Sequence, residues 1–176
     1  MRINLKFVLL IIITVFLLPF RFFAQSENQK SNLEEEKHFH YNHIALFIGA
    51  SSLFERDATY FTLGGDYIRY FSPESNFAVG VYSEAIFADH TEWLFGAVLF
   101  YGLTKHLWIR SGPGIEILQE ENEHSGETES KTEFLIRIGT GYSIHFGKFF
   151  IDPSIDIDFF RSSTTLVWGV NFGMAF

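Results

Sequence analysis

The sequence has no cysteine, only four prolines, and no excess of basic charge: 13 Lys and Arg stand against 21 Asp and Glu, for a net charge of −8. Without cysteine there is no disulfide scaffold, no thiol nucleophile, no thiolate metal centre and no lipid-modified cysteine near the N-terminus. Without a basic footprint, nucleic-acid binding is not expected. Apart from one apolar stretch near the start, no run approaches the ~20 residues that a membrane-spanning helix needs. What is abundant is apolar and aromatic. The chain is 47% hydrophobic, with 22 Phe among 176 residues, a composition that opposes general disorder and is enough for one domain.

Residues 1–24 read as a secretory signal. Arg2 and Lys6 give a positive start, an apolar run extends over Phe7–Phe20, and Ala24 supplies a small residue before Gln25. Removing this segment takes Arg2, Lys6 and Arg21 and no acid, so the net charge moves from −8 to −11. Residues 25–41 (QSENQKSNLEEEKHFHY) are polar, show no alternation, and are expected to form a flexible periplasmic segment.

From Asn42 to Phe176 the pattern has period two. Phe134, Ile136, Ile138, Thr140, Tyr142, Ile144 and Phe146 share one face of a strand. Leu135, Arg137, Gly139, Gly141 and Ser143 share the other. The stretches 107–118, 151–159 and 167–176 repeat the pattern, and weaker versions fall near 42–53, 59–70, 77–88 and 91–102. Eight long segments joined by short links imply an all-β, eight-stranded antiparallel up-and-down barrel.

Periodicity alone does not say which face points inward. A soluble carrier would bury the apolar face, and a membrane barrel would turn it toward lipid. Three features favour the membrane. The polar face is rich in glycine (Gly112, Gly114, Gly139, Gly141, Gly169, Gly173), which suits a crowded interior. Aromatic residues gather near strand ends as two girdles. One holds Tyr67, Phe71, Phe77, Tyr101, Trp108, Phe146, Phe149 and Phe176, and the other holds Phe54, Phe61, Phe87, Trp93, Phe134 and Phe159. The last strand ends on Phe176, in the manner of the terminal signal read by barrel assembly machinery. In lipid the backbone must pair completely, so the sheet must close.

Segments such as LGGDYIRYF (Leu63–Phe71), GVYSEAIF (Gly80–Phe87), SGPGIE (Ser111–Glu116) and FLIRIGTGYSI (Phe134–Ile144) resemble the small bacterial outer-membrane barrels of the OmpX/OmpA-barrel type, within the generic outer membrane protein beta-barrel domain group. The Phe/Ile-rich composition and the FAQ end of the signal look like Bacteroidetes sequences. The resemblance implies an integral protein of a Gram-negative outer membrane, in contact with outer-membrane lipids and lipopolysaccharide. It implies no cofactor and carries no catalytic set onto these residues.

The interior face is expected to hold a charge network of Asp66, Glu84, Arg110, Glu116, Arg137, Asp152, Asp156 and Asp158. Charges in a low-dielectric interior must pair or stay wet. Counting from strand ends pairs Arg137 with Glu116 and Asp156 in an outer layer, and Arg110 with Asp66 and Asp152 in a lower one. Two further groups carry residue types that can ligate a metal. The loop Gln119–Lys131 is acidic, but a flexible loop lacks a preorganised cage. His38, His40 and His43 lack a visible fourth ligand. No metal centre is expected. The expected role is structural or surface-interacting and non-enzymatic. A narrow pore or carrier is the alternative, and a lipid-modifying enzyme using Ser143 and His145 comes after it. Those two residues share the interior face near the periplasmic rim, away from outer-leaflet lipid A.

Overall fold

Alternating side chains leave a strand on opposite faces, and in this chain the two faces become the two sides of one closed wall. The computed structural model describes residues 41–55, 57–72, 75–121 and 128–176. Residues 1–40, which include the expected signal as well as His38 and His40, lie outside the described residues. The strands are β1 (Asn42–Leu53), β2 (Ala58–Tyr70), β3 (Phe77–Phe87), β4 (Thr91–Gly102), β5 (Leu107–Glu121), β6 (Thr128–Tyr142), β7 (Ile144–Phe146), β8 (Phe149–Phe160) and β9 (Thr164–Ala175). Each of β1 to β6 pairs antiparallel with the next. β6 and β7 pair with β8, β8 with β9, and β9 with β1, which closes the barrel. Among the described residues there is no helix.

β6 and β7 are one crossing, so eight strands make the wall. The interruption falls at Ser143. The register that joins Gly141↔Ser154 to Ile144↔Ile151 brings Pro153 opposite Tyr142. Pro153 has no N–H to contribute to the ladder. Ser143 N donates instead to His106 O on the other side, at 2.7 Å. Pro113 acts in the same way in β5: the β4–β5 ladder skips from Gly96↔Gly114 to Leu99↔Ser111.

The outward face is apolar. Ile44, Leu46, Ile48, Val79, Val81, Leu99, Ile136, Ile138 and Ile157 are all exposed. The inward face buries Asp66, Glu84, Arg110, Glu116, Arg137, Asp152, Asp156 and Asp158. This is the polarity of a membrane barrel, with the apolar band toward lipid. Phe71, Phe77, Phe146, Phe149 and Phe176 are exposed at the rim where the chain ends, and Phe54, Phe61, Phe87, Trp93, Phe134 and Phe159 are exposed at the opposite rim.

Trp108 departs from the girdle expected for it. It points inward, 9% exposed, with its ring 5.2 Å from that of Phe100. Alternation puts it on the same face as Arg110, and its ladder partner Gly141 provides the room. A Cβ at Gly141 would strike the Trp108 ring.

At the terminal rim, Asn42 N donates to Phe176 O at 3.1 Å and Phe176 N donates to Asn42 O at 2.8 Å. Tyr67 Oη donates to Asn42 Oδ1 at 2.8 Å, bracing the closure from β2. The β7–β8 hairpin turns at Gly147, whose φ of +64° is the left-handed conformation that a two-residue turn starting with glycine uses. At the opposite rim the expected loop Gln119–Lys131 is shorter than supposed. Its ladder continues through Leu118↔Lys131 to Glu121↔Thr128, so only residues 122–127 lie between the strands. Acidic side chains mark a departure from the apolar band. They do not stop two neighbouring backbones from pairing in water.

Candidate functional site

The chemistry-bearing side chains converge in the lumen, in two layers centred on arginines. In one layer, Arg137 lies in the row Gly112–Arg137–Asp158 across β5, β6 and β8. Its Nε and Nη2 donate to the two oxygens of Asp158, each at 2.7 Å. Nη1 and Nη2 donate to Glu84 from β3, Nη2 to Oε2 at 2.8 Å and Nη1 to Oε1. The Tyr82 ring lies 4.3 Å from the guanidinium carbon. Arg137, Asp156 and Asp158 are 0% exposed and Glu84 is 1% exposed. A buried guanidinium costs several kcal/mol to desolvate, and only full pairing offsets it. Here all four oxygens of Glu84 and Asp158 accept from it.

The second layer centres on Arg110. Nε and Nη2 donate to Asp156 at 2.6 and 2.7 Å, and Nη1 donates to Asp66 Oδ2 at 3.1 Å. The Phe100 and Trp108 rings lie 5.8 and 5.5 Å from its guanidinium carbon. Arg110 on β5 and Asp156 on β8 are separated by β6, where Gly139 occupies the same row. A Cβ at Gly139 would fall on Asp156 Oδ1. The glycine is the opening through which the two charged side chains meet.

The partners therefore differ from those counted along the strands. Arg137 takes Glu84 and Asp158 where Glu116 and Asp156 were expected. Arg110 takes Asp156 with Asp66 where Asp152 was expected. Asp158 is the direct ladder neighbour of Arg137, so it outcompetes Asp156, and Asp156 turns over Gly139 toward Arg110. Glu116 is buried on β5 between Leu94 and Glu133. Glu133 reaches the half-exposed Lys131 at 3.0 Å. Asp152 lies opposite Asn171 and interacts with Ser143 and Trp108.

Sequence reasoning missed two lumenal participants. Tyr82 lies under Arg137, and its ring occupies space that a Cβ at Gly96 would take. Asn171 donates Nδ2 to Ser154 Oγ at 3.2 Å. Each lies two residues from a position already placed on the inward face, Glu84 and Gly169, so period two alone could have found them. His43 sits at the terminal rim between the rings of Tyr70 and Phe150, at 5.0 and 5.2 Å. Ser143 is buried beside Asp152, while His145 rests 6.0 Å from the Phe150 ring.

No family model matches the sequence, and no curated protein matches it. Solved structures do. The N-terminal β-barrel domain of Pseudomonas aeruginosa OprF is similar, with a TM-score of 0.59 and 14% identity over 77% of this chain and 99% of that one. Ail, the attachment invasion locus protein of Yersinia pestis, in complex with the heparin analogue sucrose octasulfate, gives 0.58 and 15% over 78% and 99%. Neisserial surface protein A gives 0.57 and 11% over 77% and 96%. The shared feature is the fold, and the fold of this chain is that of the small eight-stranded outer-membrane barrels.

Proposed function

We propose that this chain is a non-enzymatic integral outer-membrane barrel whose lumen is closed by its two arginine layers and whose outward rim makes its contacts with partners. The observation that carries the reading is Arg137, 0% exposed and clamped between carboxylates from β3 and β8. An eight-stranded barrel has an interior just wide enough for side chains to fill, and these two layers occupy it. The rim carrying Asn42 and Phe176 faces the periplasm, and the strand ending at Phe176 serves the assembly machinery. The opposite rim, with Glu55, Asp89, Lys131, Glu133 and Arg161, meets lipopolysaccharide and the exterior. Ail is seen with a polyanion. The net charge of −8 here argues for partners that are cationic or bridged by cations.

A second reading, a narrow cation path, draws on the acid excess of the lumen: Asp66, Glu84, Glu92, Glu116, Asp152, Asp156 and Asp158 are buried with only two buried arginines among the described residues. Planar-bilayer recording separates the two. Silent insertions support the closed lumen, and steady cation-selective openings would replace it with the path. Mass spectrometry of lipid A with and without expression tests the enzymatic alternative. An altered acyl pattern would overturn the non-enzymatic assignment.

A further inference from the structure

The two rims of the barrel differ in charge. At the rim where β1 begins and β9 ends, Arg69, Lys105 and Lys148 are exposed, and among the described residues of that rim there is no Asp or Glu. The opposite rim carries Glu55, Asp57, Asp89 and Glu133 against Lys131 and Arg161. The basic rim also exposes Phe71, Phe77, Phe146, Phe149 and Phe176, rings of the kind that mark the depth of lipid headgroups. Cations at that depth meet lipid phosphates.

One of the three cations stands over a hollow in the outer wall. A groove of about 670 Å³ crosses β1, β9 and β8 on the lipid side. Two ladder rows line it. Ile44, Met174 and Phe149 make the row nearer the rim, and Leu46, Phe172 and Ile151 make the next. Lys148 is exposed in the turn just beyond, with its Nζ 5.4 Å from the centre of the Phe149 ring. Ala175 N donates to Lys148 O at 2.7 Å, which ties that turn to the end of β9. The groove is therefore apolar along its length and cationic at its head.

We propose that this groove holds one anionic phospholipid, of the phosphatidylglycerol class, with an acyl chain along the two rows and its phosphate on Lys148. The apolar walls fit the chain. The basic rim selects the headgroup: a zwitterionic lipid brings its own cation to Lys148 and gains less than an anionic one. The lipid covers the seam where β9 closes on β1. The site rests on the outer-membrane reading above, under which this rim faces the periplasm and the lipid belongs to the inner leaflet.

The test uses the full barrel refolded in a zwitterionic detergent, its folding checked by the gel shift between boiled and unboiled samples. Phosphatidylglycerol and phosphatidylethanolamine of the same acyl chains are added separately, and retained lipid is counted by native mass spectrometry. The expected result is one phosphatidylglycerol per barrel, held roughly tenfold more tightly than phosphatidylethanolamine. Lys148→Glu should remove that preference. Leu46→Trp, which crowds the groove and leaves the charge, should weaken both lipids. Ile109→Trp, on the outer wall of β5 away from the groove, should bind as the parent does. Lys105→Glu, on the neighbouring turn, should weaken phosphatidylglycerol less than Lys148→Glu does. A folded parent without preference, binding unchanged in Lys148→Glu, or equal losses in Lys105→Glu and Lys148→Glu would overturn the site. Should Lys148→Glu fail to refold, Leu46→Trp against Ile109→Trp decides. A parent chain with no gel shift would instead overturn the barrel reading itself.

Discussion

The Arg137 and Arg110 layers use the same chemistry and reach different degrees of closure. Arg137 has a carboxylate as its direct ladder neighbour and a second across the lumen, so its charge and its partners' oxygens are all satisfied. Arg110 has a glycine as its ladder neighbour and must reach over it, so it shares Asp156 bidentately and Asp66 through a single bond. One layer behaves as a finished strut across the barrel. The other is a less complete network, in which Asp66 Oδ1 has no partner. The difference lies across the lumen, where Glu84 accepts from two nitrogens of Arg137 and Asp66 from one of Arg110.

The largest expected effect is on the finished layer. Arg137→Ala leaves Glu84 and Asp158 buried and unpaired, and should cost about 3–5 kcal/mol in urea unfolding from lipid vesicles. Arg110→Ala should cost less, about 3 kcal/mol, because one of its carboxylates is held by a single bond; equal losses would erase the distinction between the layers. Next comes Gly139→Ala. Its methyl would fall on Asp156 Oδ1, and overpacking of this kind costs about 1–3 kcal/mol. Gly65→Ala is the control: the nearest atom to its Cβ is Ala45 O at 3.4 Å, and its midpoint should stay close to the parent's. The smallest effect belongs to the rim. Glu133→Gln removes a partly exposed pair with Lys131 and should shift stability by less than about 0.5 kcal/mol.

The wall was legible in the sequence because lipid imposes a simple rule. Phe134, Ile136 and Ile138 face out, Leu135, Arg137 and Gly139 face in, and the same period runs through every crossing. Even the closure at Asn42 and Phe176 follows from the need to pair every backbone group. The lumen was legible only as a list of residues. Which carboxylate meets which arginine depends on register to a single residue and on where glycines open a passage between non-adjacent strands. Asp156 was assigned to Arg137 because they are near in height, and it went to Arg110 because Gly139 let it. Trp108 was read as a girdle residue because it lies at a strand end, although alternation already placed it beside Arg110. The β5–β6 ladder, which runs out to Glu121↔Thr128, shows the converse: charge marks the end of the apolar band, and backbone pairing continues past it.

The most direct test of the central claim, that the lumen is held by dry and mutually committed ion pairs, is a double-mutant cycle on Arg137 and Asp158. Unfolding free energies of Arg137→Met, Asp158→Asn and the double variant would be measured in the same vesicles. The expected result is a coupling energy of about 2 kcal/mol or more, with the double variant more stable than the single changes sum to. A coupling below about 0.5 kcal/mol, the range of exposed pairs, would mean that water screens these charges and that the lumen is open.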